Sequence, residues 1–258
     1  MTNLALQLES EVHLWLASPE EVLAGGDPAV LRRWLQREEV EALDRLRTAE
    51  ARALHLASQA LLRSTLSRYA PVRPDAWRFK RSDHGRPRVG QPPGVPDLRF
   101  SVSRRPGLLA CLVTLALEAG ADVERSDRRP APLEIATSFF AASELADLRS
   151  LPGSAREARF YELWALKEAY LKARGLGLSL PLDTVAFRLA ETGRATATFA
   201  GEREPNPAQW RFTLLRPTAA HVAAVAWEEP GQTEHRLVVQ HAVISAPDDC
   251  PSAARLRA

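Results

Sequence analysis

Cysteine is nearly absent from this chain. Two residues in 258, Cys111 and Cys250, make neither a disulfide framework nor a zinc site. Cys111, inside an apolar run, reads as a small buried hydrophobe. No apolar run reaches bilayer-spanning length, and the polar, acidic stretch 1–12 lacks the form of a signal peptide, so a cytoplasmic protein is expected. An excess of one charge is missing too: the net charge is only +2, which gives nucleic acid no electrostatic footing. Neither standard glycine-rich phosphate loop is present. Lysine is scarce as well: of 34 basic residues only Lys80, Lys167 and Lys172 are lysines. Arginine serves wherever an exposed cation is enough, but it does not release its proton. Two lysines so close together therefore point to proton chemistry, or to a chance pair.

What is present is ordinary globular material, 45% apolar and 26% charged, long enough for one large domain or two small ones. A strand is expected over 11–17, and helices over 28–46 and 49–69. In the second helix Leu54, Ala57, Leu61, Leu62 and Leu66 recur at three- and four-residue spacing. The stretch 70–96, rich in proline, glycine and charge, reads as a strand over 77–80 and a long loop. Strands follow over 98–103, 108–117 and 119–125. Then the pattern restarts: helical segments over 133–140 and 143–149, a long helix over 154–174 with Gly175 at its C-cap, and strands over 184–189, 195–199, 210–215, 221–227 and 235–243. Helices followed by strands, twice over, predict an α+β chain of two similar α/β lobes. The boundaries expected are 1–117 and 118–245, with a flexible tail over 246–258.

Two segments carry chemistry. In Gly120-Ala121-Asp122-Val123-Glu124, strand alternation puts Asp122 and Glu124 on one face. Paired carboxylates repel unless a cation lies between them, and their oxygens suit magnesium shared with substrate phosphates. A solvated strand edge with two acids would read the same. On the long helix, Trp164, Glu168 and Lys172 lie four apart and share a face. Glu168 suits a metal or a proton, Lys172 a leaving phosphate, and Lys167 a phosphate as a point charge. An i,i+4 Glu–Lys helix pair is the plain alternative. A third set, Arg78, Lys80, Arg81, Arg86 and Arg88 around His84-Gly85-Arg86-Pro87, with Ser103, Arg104 and Arg105 beyond, could grip a polyanion or simply face water.

GADVE followed by WALKEAYLKARGLGL resembles the paired signature of the 4′-phosphopantetheinyl transferase superfamily, in its two-lobed, single-chain, surfactin-synthetase-activating branch. LEIATSFF, SLPLD, HGRP and FSVS also resemble that branch, so the likeness runs over 45–189. The resemblance implies two pseudo-symmetric lobes with the active site in the cleft between them. It implies transfer of phosphopantetheine from coenzyme A to a carrier-protein serine, with Mg2+, releasing adenosine 3′,5′-bisphosphate. Asp122, Glu124 and Glu168 resemble the acidic triad that holds magnesium. Glu168 is also the implied base and Lys172 the implied partner of the leaving group.

For the donor, the resemblance implies Arg45, Arg86, Ser103, Arg104 and Lys167 as contacts, and Glu144 as an acid bordering the cleft. The family's strand usually ends Ser-His-Ser or Ser-His-Thr, its histidine on the 3′-phosphate. Here Ser103-Arg104-Arg105 stands there, with Ser101 for the usual asparagine, so Arg104 is expected on that phosphate. Glu39 and Ala42 fall near the family's early basic pair, with Arg45 and Arg47 close by. Acyl or peptidyl carrier domains of nonribosomal peptide, polyketide or fatty acid synthesis are the implied partners. A monomer without nucleic acid or membrane contact is expected. The rival reading is a coenzyme A or carrier-protein binding module without turnover.

Overall fold

A computed structural model describes residues 2–82, 84–127, 133–177, 180–201, 204–231 and 233–244. The expected tail over 246–258 and Cys250 lie outside them. The chain divides into two compact units. Among the described residues, one holds 2–82, Pro87–Ala116 and 234–244; the other holds the short segment ending at Arg86, and those between Leu117 and Thr233.

The first unit contains α1 (Asn3–Gln7), β1 (Glu11–Ala17), α2 (Pro19–Ala24), α3 (Pro28–Arg33), α4 (Arg37–Asp44), α5 (Ala49–Tyr69), β2 (Arg78–Arg81), β3 (Pro87–Gln91), β4 (Leu98–Arg105) and β5 (Leu108–Leu115). Thr48 caps α5 by accepting from the Ala51 amide at 3.1 Å. The helix buries Ala57, Leu61, Leu62 and Leu66 against Phe100, Leu109, Cys111 and Val113 of the sheet. Each such leucine contributes about 1.5–3 kcal/mol. Burial pushes the Cys111 thiol up to about 12, which leaves it an inert packing group.

The helix expected over 28–46 is two helices, because Trp34 ends α3 and Gln36 caps α4, its amide donating to Glu39 Oε2 at 2.7 Å. The expected loop after 80 contains β3, which pairs with β2 through Phe79↔Val89 and Lys80↔Arg88. Behind this hairpin the fully buried Arg63 donates to the Trp34 carbonyl at 3.1 Å and to Glu39, and lies over the Phe79 ring.

The second unit contains β6 (Ala119–Arg125), α6 (Leu133–Phe139), α7 (Ala142–Ser150), α8 (Gly153–Arg174), β7 (Val185–Leu189), β8 (Arg194–Phe199), β9 (Trp210–Thr218) and β10 (His221–Glu228). Its antiparallel sheet runs β6-β10-β9-β8-β7. The long helix α8 packs Phe160, Leu163, Leu166, Ala169 and Tyr170 onto Phe212, Leu214, Val222, Ala224 and Ala226. Gly175 closes it with φ 64°.

The last strand, β11 (Arg236–His241), departs from the expected division. A second lobe over 118–245 would hold it, yet it runs parallel to β1, from Glu11↔Arg236 to Leu16↔His241, in a sheet ordered β11-β1-β5-β4. Polar contacts fix it there: Arg236 donates to Glu11 Oε1 at 2.6 Å, and His13 bridges Glu11 Oε2 and the Tyr69 hydroxyl at 2.7 and 2.8 Å. Each unit thus lays one long helix on a sheet, and the fold is mixed α and β.

Candidate active site

In β6, Gly120, Asp122 and Glu124 stand opposite Ala226, Ala224 and Val222 of β10. Directly opposed residues share a face, and those three β10 residues pack beneath α8. Gly120 shows the same thing independently. A Cβ there would strike the Ala169 carbonyl and the Ala173 amide of α8, and would come within 2.9 Å of the Lys172 Cβ. The helix backbone rests on the strand because this residue has no side chain. The acidic face of β6 therefore looks at the helix that carries Glu168 and Lys172.

Asp122 and Glu124 are both buried. Lys172 Nζ donates to Asp122 Oδ1 at 2.6 Å and to the Ala121 carbonyl at 3.1 Å. Glu168, half-buried, precedes Lys172 by one turn on the same helical face. Among the described residues no three His, Cys, Asp or Glu side chains gather closely enough to hold a metal ion, so Asp122, Glu124 and Glu168 are not a ready cage. Their chemistry still fits magnesium: hard carboxylate oxygens on one strand face, for an ion that binds through one or two carboxylates, waters and phosphate oxygens.

Three expected contacts are corrected or relocated. Lys167 is fully buried and its ammonium is surrounded by acceptors: Glu144 Oε2 at 2.7 Å and the carbonyls of Leu182 and Val185 at 2.8 and 2.5 Å. With three protons and three acceptors it has no donor left for a phosphate. Burial lowers its pKa and Glu144 opposes that shift. Glu144, expected at a cleft border, is instead an interior tie: its Oε1 accepts from the Phe187 amide at 2.9 Å and its Oε2 from the Ala141 amide at 2.8 Å. Arg86, expected at the nucleotide, donates to Glu118 and to the carbonyls of Ala173 and Ala119 at 2.7 and 2.8 Å. It thereby joins the end of α8 to the start of β6. A Cβ on Gly175 would come within 2.8 Å of the Arg86 Cδ.

In the first unit, Arg45 is exposed at the end of α4, its Nε donating to the Glu41 carbonyl at 3.1 Å. Ser103 is buried and Arg104 exposed on β4. Strand alternation turns them to opposite faces, Arg104 toward α5. Trp164 is half-buried in an aromatic cluster, stacked on Phe160 with centroids 5.9 Å apart.

The 4′-phosphopantetheinyl transferase superfamily model matches residues 118–226, a span that contains β6 and α8. The 4′-phosphopantetheinyl transferase HetI of Nostoc sp. is 34% identical over 228 residues, 87% of this chain and 90% of that protein. The chain belongs to the 4′-phosphopantetheinyl transferase superfamily. Psf-1 of Bacillus pumilus, a 4′-phosphopantetheinyl transferase by name, is 31% identical over 70% of this chain and 73% of its own length. For 4′-phosphopantetheinyl transferase Sfp of Bacillus subtilis the identity is 32%, over 58% of this chain and less than two thirds, 64%, of that protein. A solved holo-(acyl-carrier-protein) synthase from Bacillus anthracis, in complex with CoA, is similar at TM-score 0.38 and 19% identity, over 45% of this chain and 100% of that one.

In this superfamily member the model's span takes in Asp122, Glu124, Glu168 and Lys172 and leaves Arg45, Arg86, Ser103 and Arg104 outside. Sequence reasoning missed two groups. Glu118, the partner of Arg86, had only its place before β6 as a signal. His55 and Ser58, one turn apart on α5, sat unremarked beside the apolar stripe of that helix; their relation to Arg104 depends on how α5 packs on β4.

Proposed function

We propose that the protein transfers the 4′-phosphopantetheinyl group of coenzyme A to a serine of a carrier protein and releases adenosine 3′,5′-bisphosphate. The contact between Lys172 and Asp122 carries this reading. It joins one of the chain's few lysines to the paired carboxylates of β6, inside the span that matches the superfamily. Asp122, Glu124 and Glu168 would hold magnesium, which when bound supplies charge neutralisation at the diphosphate.

The chain's own groups supply the rest. Glu168 takes the proton of the carrier serine hydroxyl, directly or through water. The serine oxygen bonds to the β-phosphorus as the bond from that phosphorus to the bridging oxygen breaks. Lys172, 30% exposed against 4% for Asp122, exchanges its carboxylate partner for the leaving phosphate, to which it gives charge or a proton. Packing that buries the two β6 carboxylates excludes water and strengthens each of these interactions. Arg104 remains our assignment for the 3′-phosphate. The carriers we assign are those of nonribosomal peptide, polyketide or fatty acid synthesis, met by a monomer in the cytoplasm; no helix of the described residues is long and apolar enough to cross a membrane.

Intact-mass spectrometry of several apo carrier proteins with coenzyme A tests this. One phosphopantetheine should be added, the gain should vanish with EDTA, and Glu168→Gln should slow it by about 10²-fold or more. Full activity in folded Glu168→Gln removes that residue from proton transfer. Coenzyme A binding without transfer to any carrier turns the reading to a binding module.

A further inference from the structure

Lys172 sits in the last turn of α8, where the final carbonyls of a helix have no partners within it and the turn frays unless held from outside. Arg86 holds it at the Ala173 carbonyl, at 2.7 Å. A second hold lies on the other side of the helix. Lys172 and Arg174 are two residues apart, so they leave the helix in nearly opposite directions. Arg174 pairs with Glu204, from the segment between β8 and β9, and its Nη1 donates to the Tyr170 hydroxyl at 3.1 Å. That hydroxyl donates in turn to Glu204 Oε2, while the Asn206 amide donates to Oε1 at 3.3 Å.

Packing alone does not call for these polar groups. Tyr170 meets Trp210 edge-on at 4.9 Å and lies beside Phe199 and Phe212; a phenylalanine would fill the same space. Glu204 is buried, and its charge is tolerated there because both oxygens have donors. Burial pushes the Tyr170 hydroxyl up to about 12, so at neutral pH it remains a donor to the carboxylate. A buried ion pair seldom adds stability over apolar side chains of similar size. What this one adds is a fixed setting of the last turn of α8 against the chain that follows β8.

We infer that Glu204, acting through Arg174 and Tyr170, is a positioning residue for Lys172: it holds the last turn of α8 where the ammonium reaches both Asp122 and the leaving phosphate. This rests on the transferase reading. The tolerance is small, because the helix already lies on β6 at Gly120, where an added Cβ would come within 2.9 Å of the Lys172 Cβ. With Arg86 as the remaining hold, the turn can tilt, and a misplacement of about 1 Å costs up to roughly a hundredfold in rate. Arg174 and Glu204 lie on the side of α8 turned away from Asp122, so the cost falls on the transfer step and not on binding.

The test follows transfer to an apo carrier by the full chain, at varied coenzyme A and varied carrier. Arg174→Met combined with Glu204→Gln removes the pair without stranding a charge, so the melting temperature should stay within about 3 °C of the wild type. Its kcat should fall on the order of tenfold, with KM for both substrates within about twofold. Arg174→Lys, which can re-form an ion pair with Glu204, should keep most of the wild-type kcat. A fully active double variant, a raised KM at unchanged kcat, or an equally slow Arg174→Lys overturns the inference and leaves the transferase reading standing. Should the double variant not fold, Glu204→Asp decides. There the carboxylate is kept but drawn back by one methylene, so kcat should fall at unchanged KM, and a wild-type kcat overturns the inference. If the wild type adds phosphopantetheine to no carrier, the transferase reading falls and this inference with it.

Discussion

Lys167 and Lys172 sit five positions apart on α8 and have opposite surroundings. Lys172 reaches Asp122 from a partly exposed position, while Lys167 is sealed between Glu144 and two carbonyls. Lys167→Met would strand the Glu144 charge in the interior, a loss of about 3–5 kcal/mol. Urea unfolding should show that loss, with unchanged coenzyme A affinity in the molecules that stay folded; intact stability with weakened donor binding would return Lys167 to the phosphate. Spacing alone puts the two lysines on different faces of the helix. It does not say which face is covered, because the cover comes from Leu182 and Val185, beyond the end of the helix. Asp122, by contrast, was legible from alternation within a strand, since its relation to Glu124 is local.

The pairing of α8 with β6 depends on residues that do no chemistry. Gly120 lets the helix lie on the strand, and Arg86 links their neighbouring ends. Gly120→Ala must push the Ala169–Ala173 backbone outward. Thermal melts should show a loss of about 1–3 kcal/mol, and carrier transfer should drop far more than stability, because the contact between Lys172 and Asp122 is stretched. Arg86→Ala should lower the melting temperature, and Arg86→Lys should recover only part, since an ammonium lacks the planar fork that serves three acceptors. The limits of β1 and α5 were readable because amphipathic spacing and stop signals are written within each segment. Strand β3 was not: its reason to be extended is Phe79 and Lys80 across the hairpin, and composition there spoke only of turns.

For the whole molecule the deciding contact is β1 with β11, whose paired residues Glu11 and Arg236 are 225 positions apart. Two repeated halves looked like two consecutive lobes in sequence, and nothing local in 235–243 says which sheet it joins. Removing the residues after Thr233 should therefore damage the first unit rather than the second. By circular dichroism and proteolysis, loss of protection should centre on β1 and α5, with the segment over 133–227 protected longest. Preferential loss of α8 would contradict the pairing. The same contact also sets an order of events on the ribosome. β1 emerges early but cannot gain its parallel neighbour until the entire second unit has been synthesised, and closing so long a loop is slow. In the meantime one edge of β1 is exposed in the nascent chain, a template for strands of other chains. The second unit, whose contacts lie within one continuous stretch apart from the short segment at Arg86, can form first. A chaperone that acts on this protein would have its work on β1.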